Sequence, residues 1–170
     1  LPRLEFSWIG WAFYGALSAG AIALALRDER HLPNLFGALL VCLMPLAAGW
    51  EGSAPRGMMA GASIGIGLLF AIPAHARAFE DRAGRAYWAM LALMAQAIPF
   101  VAAFSVAKAD FSDLGWGITS ALLVLPAGFI AWRWRQAASR IDQVTQVASA
   151  ALAAAFAWLA LTHILPNDYF

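Results

Sequence analysis

Residues 57–76 read GMMAGASIGIGLLFAIPAHA, a stretch that contains no Asp, Glu, Lys or Arg. Arginines stand on both sides of it, at Arg56 and Arg77. A bilayer has a hydrocarbon core of about 30 Å, which an α-helix crosses in roughly 20 residues. The stretch therefore predicts a membrane-spanning helix whose ends are marked by the two arginines.

Five further stretches have a similar length and composition, and short polar segments separate all six. Together they predict spans near residues 7–26, 32–50, 57–76, 86–107, 114–132 and 144–165. They lack the two-residue alternation of a transmembrane β-strand, which disfavours a β-barrel. We expect an all-α, polytopic integral membrane protein in which residues 1–170 form one compact six-helix bundle. The chain does not begin with methionine and ends soon after the last span, so a fragment of a larger membrane protein is also considered.

The composition of the 170-residue chain points the same way. Hydrophobic residues make up 62% of it and charged residues 12%, whereas a soluble domain carries about 25% charged residues. So few charges cannot cover a water-facing globule, which disfavours a soluble enzyme and a nucleic-acid-binding protein. The single cysteine, Cys42, excludes a disulfide framework and a thiolate metal cluster within the chain.

The basic residues are divided unevenly between the two sides of the predicted membrane. The first, third and fifth loops hold eight arginines, whereas the other side holds Arg3, Arg56 and Lys108. Because Lys and Arg accumulate in short cytoplasmic loops, we expect a bacterial-type inner-membrane protein with both termini outside. Aromatic residues near the span ends predict interfacial belts. The predicted belt residues are Trp8, Trp11, Trp50 and Trp116 outside, and Tyr87, Trp88, Trp132 and Trp134 inside.

Small residues recur at four-residue steps in three of the predicted spans. They are Gly57, Gly61 and Gly65 in the third span, Ala12, Ala16 and Gly20 in the first, and Ser149, Ala153 and Ala157 in the sixth. Lipid supplies no hydrophobic drive between helices, so close packing depends on small residues. We interpret these faces as tight seams within the bundle, with the third helix at its centre and Gly61 at the closest crossing. The alternative is that one of them docks another subunit.

Prolines interrupt several spans, and each removes a backbone donor and leaves a carbonyl without its helical partner. Many transporters build midplane sites from such broken helices. The residues of a site of this kind would be Gln96, Pro99, Pro45 and Pro126. Gln96 stands three residues before Pro99. Its side chain could donate a hydrogen bond to the carbonyl that the proline leaves without a helical partner, or it could make an ordinary interhelical hydrogen bond. A loose similarity between residues 38–50 and 121–132 also suggests a 3+3 inverted repeat.

The titratable residues give no indication of catalysis. The predicted spans hold no charged residue at depth, and His75 and His163 fall on opposite sides of the membrane. We therefore predict no cofactor and no metal, and an enzyme is the least favoured class. Near the outer surface, Lys108 is interpreted as an interfacial ion-pair partner of Asp110 and Asp113.

Two functions follow from the sequence. The first is a non-catalytic membrane-embedded subunit, or a membrane domain of a larger assembly, that packs through small-residue helix faces. Its expected partners are the lipid bilayer and another membrane protein or a second copy, without nucleic acid. The alternative is a small transporter or channel-like protein with a midplane site between proline-broken helices.

Overall fold

A computed structural model describes residues 8–50, 55–80, 84–136 and 139–165, with the backbone alone described at 45–50. All long elements in these ranges are helices, and no strand occurs among the residues described. They are α1 (Trp8–Arg27), α2 (Leu32–Trp50), α3 (Arg56–Ala78), α4 (Arg85–Ala107), α5 (Asp113–Arg133) and α6 (Arg140–Ile164). A short 3-10 turn over Glu29–His31 connects α1 to α2.

Five of these helices, α1 and α3 to α6, are long and apolar enough to cross a membrane. The chain is thus a membrane-embedded, multi-pass helical protein, as its composition predicts. The second predicted span coincides with α2, a helix of 19 residues. The compact six-span bundle itself stays a prediction.

Two serines fix the starts of α5 and α6. Ser112 Oγ accepts a hydrogen bond from the Gly115 N–H at 3.1 Å, and Ser139 Oγ accepts one from the Asp142 N–H at 3.2 Å. Each helix also has an aspartate in its first turn, where a carboxylate interacts favourably with the helix dipole. With this cap, α6 begins at Arg140, four residues before the predicted span.

Two antiparallel hairpins make the most extensive helix contacts, α3 with α4 and α5 with α6. Helices α1 and α2 pack on the first hairpin, and α6 joins the second hairpin to α4. Half of the most apolar segment of α3 and of α4 is buried, against 17% for α1 and for α6. The third helix is therefore central, as expected, but it shares that place with α4.

The inverted repeat stays a prediction. If the halves matched, α2 and α3 would pack together as α5 and α6 do. Among the described residues, α5 packs extensively along α6, whereas α2 touches α3 only lightly. The described packing therefore lends the repeat no support.

The tryptophans correct the predicted aromatic belts. Trp11, Trp88, Trp116 and Trp134 are each 9% exposed or less and belong to the core. Trp8, Tyr87 and Trp132 are more than half exposed, as residues of a belt should be. The side chain of Trp50 lies outside the described residues. Nearness to a span end was misleading because Trp11, Trp88 and Trp116 lie on the inward faces of their helices, and Trp134 is buried in the turn that follows α5.

The alternating helix directions collect the helix ends into two layers. One layer, called here the arginine end, holds Arg27, Arg30, Arg77, Arg85, Arg133, Arg135 and Arg140. Two contacts tie it together: Arg77 donates to the Leu26 carbonyl at 3.1 Å, and Arg85 pairs with Asp142. The other layer, the far end, holds the start of α3, the α4–α5 loop and the end of α6.

Candidate functional site

The three glycines that repeat along α3 lie on its outer side. Gly57, Gly61 and Gly65 are all exposed, and together they are called the glycine face. A Cβ atom added at Gly57 or Gly65 would meet nothing within 4 Å, and one at Gly61 would come 3.4 Å from the Trp8 ring. Among the described residues, only the Trp8 ring packs against this face, and the interpretation as a seam within the bundle stays a prediction.

The small residues of α1 also lie on the outer side of their helix. Ala12, Ala16 and Gly20 are exposed, and a Cβ at Gly20 would also meet open space. Helix α1 instead contacts the bundle through the opposite stripe of Trp11, Ser18, Ile22 and Ala25. Whether either small-residue face packs against a partner stays a prediction.

Helices α3 and α4 approach closely at Gly67, a residue that the small-residue pattern of the sequence did not single out. A Cβ there would come 3.1 Å from the Ala95 carbonyl oxygen and 3.2 Å from Pro99 Cβ. Pro99 has no N–H and leaves that carbonyl without its helical donor. The glycine therefore lets α3 lie directly against the proline-interrupted turn of α4. Ser63 and Gly67, a second pair of small residues spaced by four, were the available signal.

Gln96 reaches across the same helix pair to His75. The Gln96 Nε2 atom lies 2.6 Å from His75 Nε2, and His75 Nδ1 lies 2.7 Å from the Ala71 carbonyl oxygen. Because a carbonyl can only accept, Nδ1 carries the imidazole proton, and Nε2 accepts from the Gln96 amide. The sequence left two roles open for Gln96, and the structure shows the interhelical hydrogen bond rather than a bond to the carbonyl that Pro99 leaves without a helical donor.

The Gln96 carboxamide is not fully satisfied by this bond. Gln96 is 6% exposed, and its Oε1 atom is buried without a hydrogen-bond partner among the described residues. The sequence singled out Gln96, which the structure buries, but it missed His75 as the partner and placed it at a span end. A side chain on a helix points back toward the N-terminus, which brings His75 deeper than its position suggests.

Pro99 and Pro126, two of the prolines of the predicted midplane site, lie in different surroundings. Pro99 is buried against Gly67, whereas Pro126 lies within α5 and is partly exposed. The side chain of Pro45 lies outside the described residues. The midplane site thus stays a prediction, and the large cavity that the structure does show lies elsewhere, at the arginine end.

At the far end, the two carboxylates predicted to pair with Lys108 have other partners. Asp110 lies 3.9 Å from Arg56, and Asp113 lies 3.3 Å from His163 Nδ1. The Lys108 ammonium stands 5.4 Å from the centre of the Phe104 ring, a cation–π contact. Arg56 and Asp110 thus form an ion pair between α3 and the α4–α5 loop, and the His163–Asp113 contact, which is an ion pair only when the imidazole is protonated, joins α5 to α6. The Arg56 and Asp110 side chains are both more than half exposed, so their pair is worth little to stability.

A partly buried ion pair joins the two hairpins at the arginine end. Arg85, at the start of α4, lies 3.1 Å from Asp142 of α6, and its guanidinium also stands over the Trp134 ring at 5.4 Å. The Asp142 side chain is 12% exposed and that of Arg85 is 33% exposed. Water screens this pair less than a surface pair, so it holds α6 against α4.

The described residues offer no cluster of three or more His, Cys, Asp or Glu side chains that could hold a metal ion. No protein-family model matches the chain, and neither a curated protein nor a solved structure was found to be similar to it. Function therefore has to be inferred from the surfaces and contacts described above.

Proposed function

We propose that this chain is a non-catalytic, membrane-embedded subunit that packs against a transmembrane helix of a neighbouring subunit through the glycine face of α3. The observation that carries the proposal is the open space in front of Gly57 and Gly65. Glycines spaced by four allow two helix backbones to approach closely in lipid, where van der Waals contact and weak Cα–H···O bonds drive association.

The shape of this face, rather than its exposure, supports the proposal. Exposed apolar side chains are ordinary on a protein in lipid, and many occur on α5 as well. The glycine face differs because its small residues recur at four-residue steps beside larger exposed side chains, Ile64 and Leu68 on α3 and Trp8 at the start of α1. A partner helix that lies against Gly57 and Gly65 would also contact these side chains.

Site-specific photo-crosslinking in native membranes tests this proposal. A photoreactive amino acid at Ile64 or Leu68 is expected to give protein adducts, because both side chains border the glycine face. Gly61→Leu in the same chain should lower adduct formation about tenfold, since a bulky side chain forces the backbones apart. An adduct of twice the chain's 18.2 kDa identifies a second copy as the neighbour, and another mass identifies a different subunit.

Helix α5 supplies the matched control. Leu122 and Leu125 are 60% and 67% exposed, more than Ile64 and Leu68, but no run of glycines at four-residue steps accompanies them. The photoreactive amino acid at these positions is expected to give no protein adduct. Equal adducts on both helices, or none from α3, would contradict the proposal.

We also infer that the arginine end faces the cytoplasm of a bacterial-type inner membrane, since short cytoplasmic loops collect Arg and Lys. In a Cys42→Ala background, a cysteine at Gln136 should react with a membrane-impermeant maleimide only after permeabilisation. A cysteine at Ala109, at the far end, should react in intact cells. Both positions are exposed. The opposite labelling pattern would invert the topology.

A further inference from the structure

A groove of about 840 Å³ opens at the arginine end between α2, α4 and α6. Its walls are mostly apolar and include Leu32 and Phe36 of α2, Tyr87 and Met90 of α4, and Val144 of α6. Volumes of about 300–1,000 Å³ are usual for sites that hold a small organic ligand. Because α4 and α6 are long and apolar enough to cross a membrane, the groove at their arginine ends lies near the level where acyl chains give way to headgroups.

The groove also contains a carboxylate that lacks a partner. Glu29 lines it, and the Glu29 Oε1 atom is buried without a hydrogen bond to any described residue. The Oε2 atom lies against the first turn of α4, so close that a Cβ at Gly84 would come within 2.8 Å of it. A buried carboxylate oxygen without a donor is costly. This part of the groove therefore suits a cationic N–H donor.

The next residue supplies the opposite charge. Arg30 also lines the groove and is exposed, and its backbone N–H is held by Asp28 Oδ1 at 3.0 Å. Its guanidinium makes no ion pair within 4 Å in the described part of the chain. Guanidinium groups bind phosphate in a bidentate manner. The rim thus presents an anion that lacks a donor beside a cation that suits a phosphate.

We propose that this groove binds one molecule of a zwitterionic aminophospholipid, phosphatidylethanolamine. An acyl chain lies along Phe36, Met90 and Val144, the ammonium group donates to the Glu29 carboxylate, and the phosphate accepts from Arg30. Phosphatidylcholine has no N–H donor for Glu29, and phosphatidylglycerol has no cation. The charges on the rim therefore select the ethanolamine headgroup. The proposal does not depend on the glycine face, which lies on α3 outside the groove.

Lipid competition on the purified full chain tests the proposal. The chain is held in detergent micelles with phosphatidylethanolamine, phosphatidylcholine and phosphatidylglycerol at equal concentrations, and native mass spectrometry counts the lipids retained. We expect one phosphatidylethanolamine, preferred about tenfold over each of the others, the gain expected from one hydrogen bond to a charged group. If the chain prefers phosphatidylcholine or phosphatidylglycerol, or retains no lipid, the proposal is overturned. This test needs no variant of the chain.

Once a retained lipid has been detected, substitutions show whether it is bound in this groove. Glu29→Gln and Glu29→Ala should each reduce the preference for phosphatidylethanolamine over phosphatidylcholine toward unity, because the charge that holds the ammonium is gone. Val144→Trp should fill the groove and reduce retention of all three lipids. Val147→Trp on the same helix is the matched control, since Val147 is 66% exposed and is not among the groove-lining residues. Retention that Val144→Trp leaves unchanged overturns the assignment to this groove.

Discussion

Replacing Gly67 by leucine is expected to destabilise the chain by about 3 kcal/mol, at the upper end of what overpacking usually costs. The first added carbon already lies 3.1 Å from the Ala95 carbonyl oxygen, and the remaining three have no space between α3 and α4. Backbone cannot move aside as the end of a flexible side chain can. The two helices that form the centre of the fold must therefore separate.

The unfolding free energy of Gly67→Leu is measured by SDS titration of the protein in mixed micelles, followed by circular dichroism. Gly37→Leu is the matched control, because a side chain at Gly37 would meet nothing within 4 Å. Gly67→Ala is expected to be nearly neutral, since the gain in helix propensity of about 1 kcal/mol offsets a milder clash. If Gly67→Leu and Gly37→Leu proved equally stable, α3 and α4 would not approach at Gly67.

Reversing the charge of Asp142 is the second change with a large expected effect. Asp142→Arg places two guanidinium groups at a joint where the native atoms lie 3.1 Å apart and the aspartate side chain is 12% exposed. Breaking a fully buried pair costs 3–5 kcal/mol. We expect about 2–3 kcal/mol here, because the Arg85 side chain is one-third exposed and water screens part of the repulsion.

A double substitution separates charge from packing at this joint. Arg85→Asp combined with Asp142→Arg restores opposite charges and should recover part of the lost unfolding free energy, but not all, because the cation–π contact with Trp134 is lost. Asp142→Asn should cost less than Asp142→Arg, since it removes attraction without adding repulsion. Equal losses for those two single variants would show that the pair contributes no electrostatic energy.

The helices were predictable because their signal is local. A run of apolar residues between short polar segments indicates each helix, and serine caps with an aspartate in the first turn account for the starts of α5 and α6. The burial of Trp88 could also have been predicted, from the periodicity of α4. Trp88, Ala92, Ala95, Pro99 and Ala103 recur at intervals of three and four residues along α4, and all of them are buried.

The direction in which each small-residue face points could not be read in the same way. Helix α3 carries small residues on two sides, Gly57, Gly61 and Gly65 on one and Ser63 and Gly67 on the other. The side that packs within the chain is decided by Pro99, on a different helix. The partners of Gln96 and Asp110 could not be predicted either, because each lies far away in the sequence. Gln96 is hydrogen-bonded to His75, and Asp110 pairs with Arg56.

The contact between Gly67 and Pro99 has an evolutionary consequence. The proline leaves the Ala95 carbonyl without its helical donor, and the hydrogen that glycine carries in place of a side chain points toward that oxygen, where it can form a weak C–H···O bond. Neither residue is favourable in a helix by itself. Selection should therefore act on the two positions as a unit, and descendants of this sequence that lose one are expected to tolerate change at the other.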